Sequence, residues 1–327
     1  MQTHTMALVA HAPGGPDVMQ WESVPMAPPG PGEALLRQTA IGVNFLDIYY
    51  RSGLYPWPDA TLIPGAEAAG VVEQVGAGVT TVRRGDRVAY VMRLGAYRQS
   101  RIVAADRLVK LPDAISDNQA ASVILKGLTV HSLVTSCYRV KPGDTVLVHA
   151  AAGGVGLLLG QWLAALGARA IGTAGTDEKA ALAKAHGYDA VINYKTTDFV
   201  AAVMDLTAGQ KCAAVYDSVG ADTWRGSLKC LAPFGMFVTF GQSSGMIRDF
   251  TLADLAMGGS LSANRPIVMD YIATQAELAR RATALFSMIE SGKIRAGSSS
   301  THPLQDAAAV HQAMADRQTS GSAVLIP

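Results

Sequence analysis

Ala151, Gly153 and Gly156 stand in the spacing small-x-Gly-x-x-Gly, after the apolar run Val146-Leu147-Val148 and before Leu157-Leu158-Leu159-Gly160-Gln161-Trp162-Leu163. That order spells a strand, a tight turn and a helix with a bare N-terminus. The unpaired N–H groups and the dipole of such a helix favour a pyrophosphate there. Gly153 would let phosphates approach the backbone, and Gly156 would let the helix close on the strand. Gly154 and Val155 complete the turn, while the first glycine of the full fingerprint is here Ala151. The chemistry implied is dinucleotide binding.

The next strand selects the cofactor. An NAD-binding unit carries Asp or Glu about 20 residues further on, at that strand's end, to hold the ribose hydroxyls. Here the strand ends Ile171-Gly172-Thr173-Ala174-Gly175-Thr176, without an acid. Thr176 reads as a helix N-cap and Asp177 as a first-turn helix residue. Lys179 follows, at a place where it could pair with a 2′-phosphate. The missing acid and the small, glycine-containing loop favour NADPH over NADH.

These residues need a frame. The chain has 327 residues, 49% apolar and 16% charged, which suits two packed domains and not disorder. From Met6 to Leu111 short apolar runs are separated by Gly, Pro and Asp turns, as in Gly70-Val71-Val72-Glu73-Gln74-Val75-Gly76, the texture of a compact β domain. From Ser116 the rhythm changes. Strands are expected at Thr145–Ala150, Arg169–Thr173, Ala190–Asn193, Cys212–Asp217 and Gly235–Phe240. Helices are expected at Gly156–Leu166, Asp177–His186, Phe199–Thr207 and Trp224–Leu231. Crossovers of that length make an α/β fold with a parallel sheet wound on both faces. A helix over Ala276–Ser291, a short loop Ser298-Ser299-Ser300 and the apolar run Ala323-Val324-Leu325-Ile326 follow; the last run reads as a strand that rejoins the β domain.

Charge and cysteines exclude other classes. A net charge of +1 offers no basic field to nucleic acid or to a membrane surface. No apolar run nears the ~20 residues of a membrane span. The start Met1-Gln2-Thr3-His4-Thr5 lacks a signal-peptide layout, and Cys137, Cys212 and Cys230 are too widely spaced for a disulfide framework or a zinc knuckle. A cytoplasmic protein is expected.

Ala40-Ile41-Gly42-Val43-Asn44-Phe45-Leu46-Asp47, then Tyr49 and Arg51-Ser52-Gly53-Leu54-Tyr55-Pro56, resemble the N-terminal motif of the quinone oxidoreductases. These are zinc-free, zeta-crystallin-like members of the medium-chain dehydrogenase/reductase superfamily. Lys126-Gly127-Leu128-Thr129, the glycine turn, Val191-Ile192-Asn193-Tyr194, Val215-Tyr216-Asp217-Ser218-Val219-Gly220, Phe240-Gly241 and the tail from Arg317 extend the resemblance over essentially the whole chain. It implies a GroES-like β domain from residues 1–125 and 266–327, a Rossmann NADPH-binding domain from 126–265, and a homodimer. It also implies an adenosine-phosphate pocket of Gly175, Lys179, Tyr194 and Arg317. Asn44, Thr129, Val155, Ser218, Phe240 and Arg265 would meet the nicotinamide end, and Tyr49 and Tyr55 would line the substrate cleft.

Zinc-dependent alcohol dehydrogenases share this architecture and need thiolate and imidazole ligands in tetrahedral array. They carry a cysteine near position 44, a His-Glu pair near 66–67 and a four-cysteine lobe, where this chain has Asn44, Gly65-Ala66-Glu67 and Val91-Met92-Arg93-Leu94-Gly95. No metal is therefore expected. Without a Lewis acid to hold alkoxide charge, an acceptor that delocalises its own negative charge suits the site. The expected reaction is hydride transfer from NADPH to a small quinone, with Tyr49, Tyr55 or Asn44 orienting the acceptor oxygen by hydrogen bonds. An NADPH-dependent enone or alkenal double-bond reductase is the alternative in the same fold, and a non-catalytic binding protein the third reading. His131 and His149 read as structural.

Overall fold

The computed structural model describes residues 3–296 and 299–327; Met1, Gln2 and Ser298, which the sequence reading above includes, lie outside the described residues with Gly297. The chain divides into two compact units, one of Met1–Lys126, Ile272–Glu290 and Ala296–Pro327, the other of Gly127–Tyr271 and Ser291–Arg295.

The first unit begins with an antiparallel pair, β1 (Thr3–Ala10) and β2 (Met19–Met26). There follow β3 (Glu33–Gly42), the short helix α1 (Phe45–Arg51), β4 (Glu67–Val75), β5 (Arg87–Val91), β6 (Ser100–Ala104) and β7 (Leu108–Lys110). β3 is buried along most of its length because it is paired on both edges, with β4 on one and β6 on the other. Its core partners include Leu8, Val72, Val88, Tyr97 and Val103.

Helix α2 (Asp117–Ser132) widens into a π turn over Leu133–Cys137. The boundary between the units falls inside it, after Lys126. The helical stretch Asp117–Cys137, 21 residues, is long and apolar enough by length and composition to cross a membrane. Lys126 and His131 interrupt its apolar residues, so no single run reaches that length. Of its most apolar window 83% is buried inside the protein, as for a core helix.

The second unit alternates strands and helices: β8 (Thr145–Val148), α3 (Gly154–Ala165), β9 (Arg169–Ala174), α4 (Asp177–Lys184), β10 (Ala190–Asn193), α5 (Phe199–Leu206), β11 (Cys212–Asp217), α6 (Trp224–Lys229) and β12 (Leu231–Thr239). α7 (Leu252–Met257), β13 (Ser262–Asn264) and α8 (Val268–Tyr271) follow. The six strands are parallel throughout, in the order β10-β9-β8-β11-β12-β13. That is the doubly wound Rossmann order, and its direction reverses between β8 and β11, the point where such sheets bind ligands. The apolar runs form strands because both faces are covered: Leu147, Ile171, Val215 and Phe237 are buried in one core with Val203 of α5 and Trp224 of α6.

The chain then supplies α9 (Gln275–Glu290), β14 (Ser299–Pro303), α10 (Ala307–Ala315) and β15 (Ser322–Ile326) to the first unit. β15 does rejoin the β domain, antiparallel to β3 at Gly42 and Ile41. Ser299 and Ser300, expected in a loop, instead open β14, because Ser299–Pro303 pairs in parallel with all of β15.

Candidate active site

The first unit builds its part of the site around one buried carboxylate. Glu67, at the start of β4, is fully buried. Its Oε1 accepts hydrogen bonds from Asn44 Nδ2 (2.8 Å) and from the Lys126 ammonium (2.9 Å), and its Oε2 accepts one from the Leu125 N–H (2.6 Å). Lys126 Nζ also donates to the Val43 carbonyl (3.3 Å). A buried charge is tolerated when it is paired and its remaining valences are filled, as here. Gly42 makes the room: a Cβ on it would lie 2.4 Å from Glu67 Oε1 and 2.2 Å from the Ala121 carbonyl oxygen. The Asn44 amide is turned with its nitrogen to Glu67, since an ionised carboxylate only accepts. One of its two amide N–H bonds is thereby committed to Glu67.

Asn44 is also the N-cap of α1, and its backbone N–H donates to Asp47 Oδ2 (2.8 Å). Asp47 ends a directional chain. Arg51 Nη1, which can only donate, lies 3.4 Å from His311 Nδ1, so that nitrogen accepts. His311 Nε2 then carries the proton and donates to the Tyr97 hydroxyl (2.8 Å), which donates to Asp47 Oδ2 (3.2 Å). Burial pushes the Asp47 carboxyl up to about 7, with neighbouring Glu67 adding to the shift, and Asp47 Oδ1 is buried without a partner. Burial, helped by Arg51, lowers His311 to about 3, so it is neutral. Tyr49 and Tyr55, on α1 and the turn after it, meet edge to face at 5.4 Å, and the Tyr55 N–H donates to the Tyr49 carbonyl (3.0 Å).

In the second unit the glycine turn lies where β8 ends and α3 begins. Gly153 is the N-cap of α3, with no side chain capping the helix and no acid in its first turn. The N–H groups of Gly154, Val155 and Gly156 precede the first intrahelical donor, the Leu157 N–H, so they are available to an anion. A Cβ on Gly156 would lie 2.4 Å from the Ala150 carbonyl oxygen and 2.6 Å from that of Ala151. Its role is thus to let α3 start against the turn's own backbone. At Gly153 the nearest atom to a Cβ would be the Ala150 carbonyl oxygen at 3.2 Å, a milder contact.

Around this turn the other expected cofactor residues fall into two groups. At the ends of β9 and β10, Tyr194 packs so closely on Gly175 that a Cβ there would come within 2.7 Å of its hydroxyl. Thr176 caps α4 by accepting the Lys179 N–H (3.2 Å); the acids of that first turn, Asp177 and Glu178, are held by Asn193 Nδ2 (2.8 Å) and by Thr176, while the strand itself ends without an acid. At the ends of β11 and β12, the Phe240 N–H donates to the Asp217 carbonyl (2.8 Å) and Gly241 lies on Ser218. Arg265 clamps that loop through the carbonyls of Thr239 (2.9 Å) and Gly241 (3.3 Å). Thr129 belongs to this unit and Arg317 to the first, in the turn after α10 with a left-handed φ of 58°. The bare helix end, the close-packed glycines and a β9 that ends without an acid fit a dinucleotide phosphate.

Beneath the glycine turn lies a second directional chain. Thr173 Oγ1 is 3.0 Å from His149 Nδ1, His149 Nε2 is 3.0 Å from Ser227 Oγ, and Ser227 donates to Asp217 Oδ2 (3.1 Å). Asp217 Oδ1 accepts the N–H groups of Val219 and Gly220, which shapes the loop bearing Ser218. His149 is buried, and burial lowers its basicity. It joins the ends of β8, β9 and β11 to α6.

The sequence reading missed Glu67, Lys126, Asp47, Tyr97 and His311 as a connected set. One signal was present: a lysine within Val123-Ile124-Leu125-Lys126-Gly127-Leu128 on a buried helix must have a partner.

Residues 30–113 match the alcohol dehydrogenase GroES-like domain, and residues 154–282 match the zinc-binding dehydrogenase family. The chain is 47% identical to a quinone oxidoreductase of Pseudomonas aeruginosa, over 96% of this chain and 97% of that one. It is 44% identical to a 2-haloacrylate reductase of Burkholderia, over 98% and 99% of the two chains. The crystal structure of Escherichia coli quinone oxidoreductase complexed with NADPH superposes with a TM-score of 0.95 at 44% identity, covering 98% of this chain and 100% of that one. The chain belongs to the quinone oxidoreductase family of the medium-chain dehydrogenases/reductases. Zinc, which the second family name implies, does not fit the residues present. The carboxylate beside Asn44 is held by an ammonium, and among the described residues no three His, Cys, Asp or Glu side chains group as a metal site.

Two outcomes follow. Gly156→Ala should lower the stability of the unliganded protein by about 2 kcal/mol or more through backbone overpacking, whereas Gly153→Ala should keep its melting temperature and lose NADPH affinity; calorimetry and fluorescence titration read the two. Asp47 gives the pH dependence its sign. The unfolded chain loses that proton near the ordinary carboxylate value and the folded protein near 7, so ionisation opposes folding and stability falls as pH rises through that window. Asp47→Asn should remove this fall, on the order of 2 kcal/mol between pH 5 and 8, as read by urea denaturation at both pH values.

Proposed function

We propose that the protein is an NADPH:quinone oxidoreductase that reduces a small, flat, conjugated acceptor without a metal. The observation that supports the cofactor half is the bare N-terminus of α3, with β9 ending in Ala174 and Gly175 without an acid and Tyr194 packed on Gly175. The acceptor half is supported by full-length similarity to quinone oxidoreductases.

NADPH, when bound, supplies the hydride. The α3 N-terminus binds the pyrophosphate through backbone N–H groups. In the second unit, Lys179 would pair with the 2′-phosphate, Gly175 and Tyr194 would wall its pocket, and Thr129, Val155, Ser218, Phe240 and Arg265 would hold the nicotinamide end, the Ser218 and Phe240 loops being fixed by Asp217 and Arg265. From the first unit, the family resemblance adds Arg317 as a phosphate contact and Asn44 as a nicotinamide contact. Tyr49 on α1 and Tyr55 in the turn after it, locked edge to face, orient the acceptor and support charge developing on its oxygen. Positioning supplies the acceleration that a Lewis acid would otherwise contribute.

A second reading, reduction of an activated carbon–carbon double bond, is favoured by the 44% identity to a 2-haloacrylate reductase. The assembly we propose is a homodimer. It is supported by Phe234, Leu252 and Met257, each more than four-fifths exposed, beside β13 at the edge of the parallel sheet. Large apolar side chains next to an unpaired edge strand suit a second copy of the chain.

NADPH should bind more tightly than NADH. Lys179→Ala and Arg317→Ala should each weaken NADPH about tenfold, the loss of one charge-assisted phosphate contact, and leave NADH nearly unchanged. Equal affinities for the two cofactors in the wild type would contradict the phosphate pocket. Turnover with a benzoquinone should exceed that with an alkenal in kcat/KM; the reverse order by orders of magnitude would select the second reading.

A further inference from the structure

Asn44 is held on its inner side by a device that no hydride-transfer step uses. Glu67 meets three donors of different kinds: the Asn44 amide, the Lys126 ammonium and the Leu125 backbone N–H, at 2.8, 2.9 and 2.6 Å. Glu67 and Lys126 are both nearly inaccessible to solvent, and Lys126 is anchored a second time on the Val43 carbonyl, next to Asn44. Each donor is specific. The Leu125 N–H fixes one carboxylate oxygen, and Lys126 pairs with the other, the one turned toward Asn44. The amide can meet an ionised oxygen only through its nitrogen. The pair therefore dictates which way round the Asn44 amide stands.

We propose that Glu67, held by Lys126, is a positioning residue for the reaction: it locks the Asn44 amide in one orientation and so sets which atoms Asn44 offers to the nicotinamide end of NADPH. The inference rests on the reading of Asn44 as a cofactor contact. In Glu67→Gln the side chain keeps its shape but must still give an oxygen to the Leu125 N–H. Its own NH2 then faces Asn44, and the Asn44 amide turns over to present its oxygen. The orientation is inverted with the packing retained. Because a lone Lys126 would be left buried without its counter-charge, the informative variant is the neutral pair Glu67→Gln/Lys126→Met, which removes both charges at similar volume.

The experiment compares wild type, the neutral pair, Glu67→Asp and Asn44→Ala, with NADPH and a benzoquinone. Readouts are the melting temperature, NADPH Kd, kcat, and the isotope effect with NADPH deuterated at the transferred position. The proposal expects the neutral pair to fold with a melting temperature near the wild type's and NADPH Kd within about threefold, since the phosphate contacts are intact. Its kcat should fall at least tenfold and its isotope effect rise as hydride transfer becomes limiting. Glu67→Asp keeps the charge but draws the carboxylate back by one methylene; it should show the same fall, and it decides the matter if the neutral pair does not fold. Combining Asn44→Ala with the neutral pair should cost no more than Asn44→Ala alone. Wild-type kcat in the neutral pair or in Glu67→Asp, beside an impaired Asn44→Ala, overturns the proposal and leaves the reading of Asn44 standing. Wild-type kcat in Asn44→Ala overturns that reading and the proposal with it.

Discussion

A carboxylate with no access to water constrains the first unit more than any other group. Glu67 must be fully paired or the fold bears the cost of a buried, unsatisfied charge. Two stretches distant in sequence meet that demand. In the first, Gly42 at the end of β3 gives up a side chain to make space and Asn44 at the cap of α1 donates; in the second, on α2, Leu125 donates and Lys126 supplies the opposite charge. Because the three donors converge on two oxygen atoms, none can shift without unpairing the carboxylate. The first turn of α1, which carries Asn44 and leads to Tyr49 and Tyr55, inherits its position from that requirement.

Both units use a buried histidine in the same way. His311 connects Arg51 and Tyr97 so that hydrogen bonds run toward Asp47, and His149 connects Thr173 and Ser227 so that they run toward Asp217. In each chain the terminal carboxylate receives backbone N–H groups from a loop that bears site residues: Asn44 in one, Val219 and Gly220 beside Ser218 in the other. Loops that must present atoms to a ligand are thus tied to the core by polar, directional contacts, which fix orientation more sharply than apolar packing does. The two chains differ at their ends. Both oxygens of Asp217 are engaged, whereas Asp47 keeps one oxygen buried and unpaired and is the group whose ionisation burial opposes.

The second unit was the more legible in sequence. Its parallel strands are short apolar runs bounded by glycine, proline and polar turns, so Ala190–Asn193 and Cys212–Asp217 form with the bounds expected. The last strand, β13, has the sequence Ser262-Ala263-Asn264 and carries no apolar signal; it exists because β12 offers a free edge. In the first unit the texture of a β domain was readable and the return of β15 was too, but β14 was not. Ser299–Pro303 has no strand-like composition and is held by its neighbour. The same difference governs the site. The glycine turn is local, so its spacing alone marks it. The ring of donors on Glu67 spans residues 44 to 126, and only the folded chain brings them together. A lysine within an apolar helix announced that a partner existed but not which residue it was.

On the proposed function, the ammonium–carboxylate pair beside Asn44 stands where a zinc ion would need ligands, and the protein would work by positioning. The most direct test is quinone-reductase turnover measured on protein whose zinc content is known, before and after exhaustive treatment with a strong chelator and again after zinc is added back. Turnover that is unchanged by chelation, in protein holding far less than one zinc per chain, with no gain on adding zinc, is the result this account expects. Activity that disappears with the metal and returns with it would contradict the account.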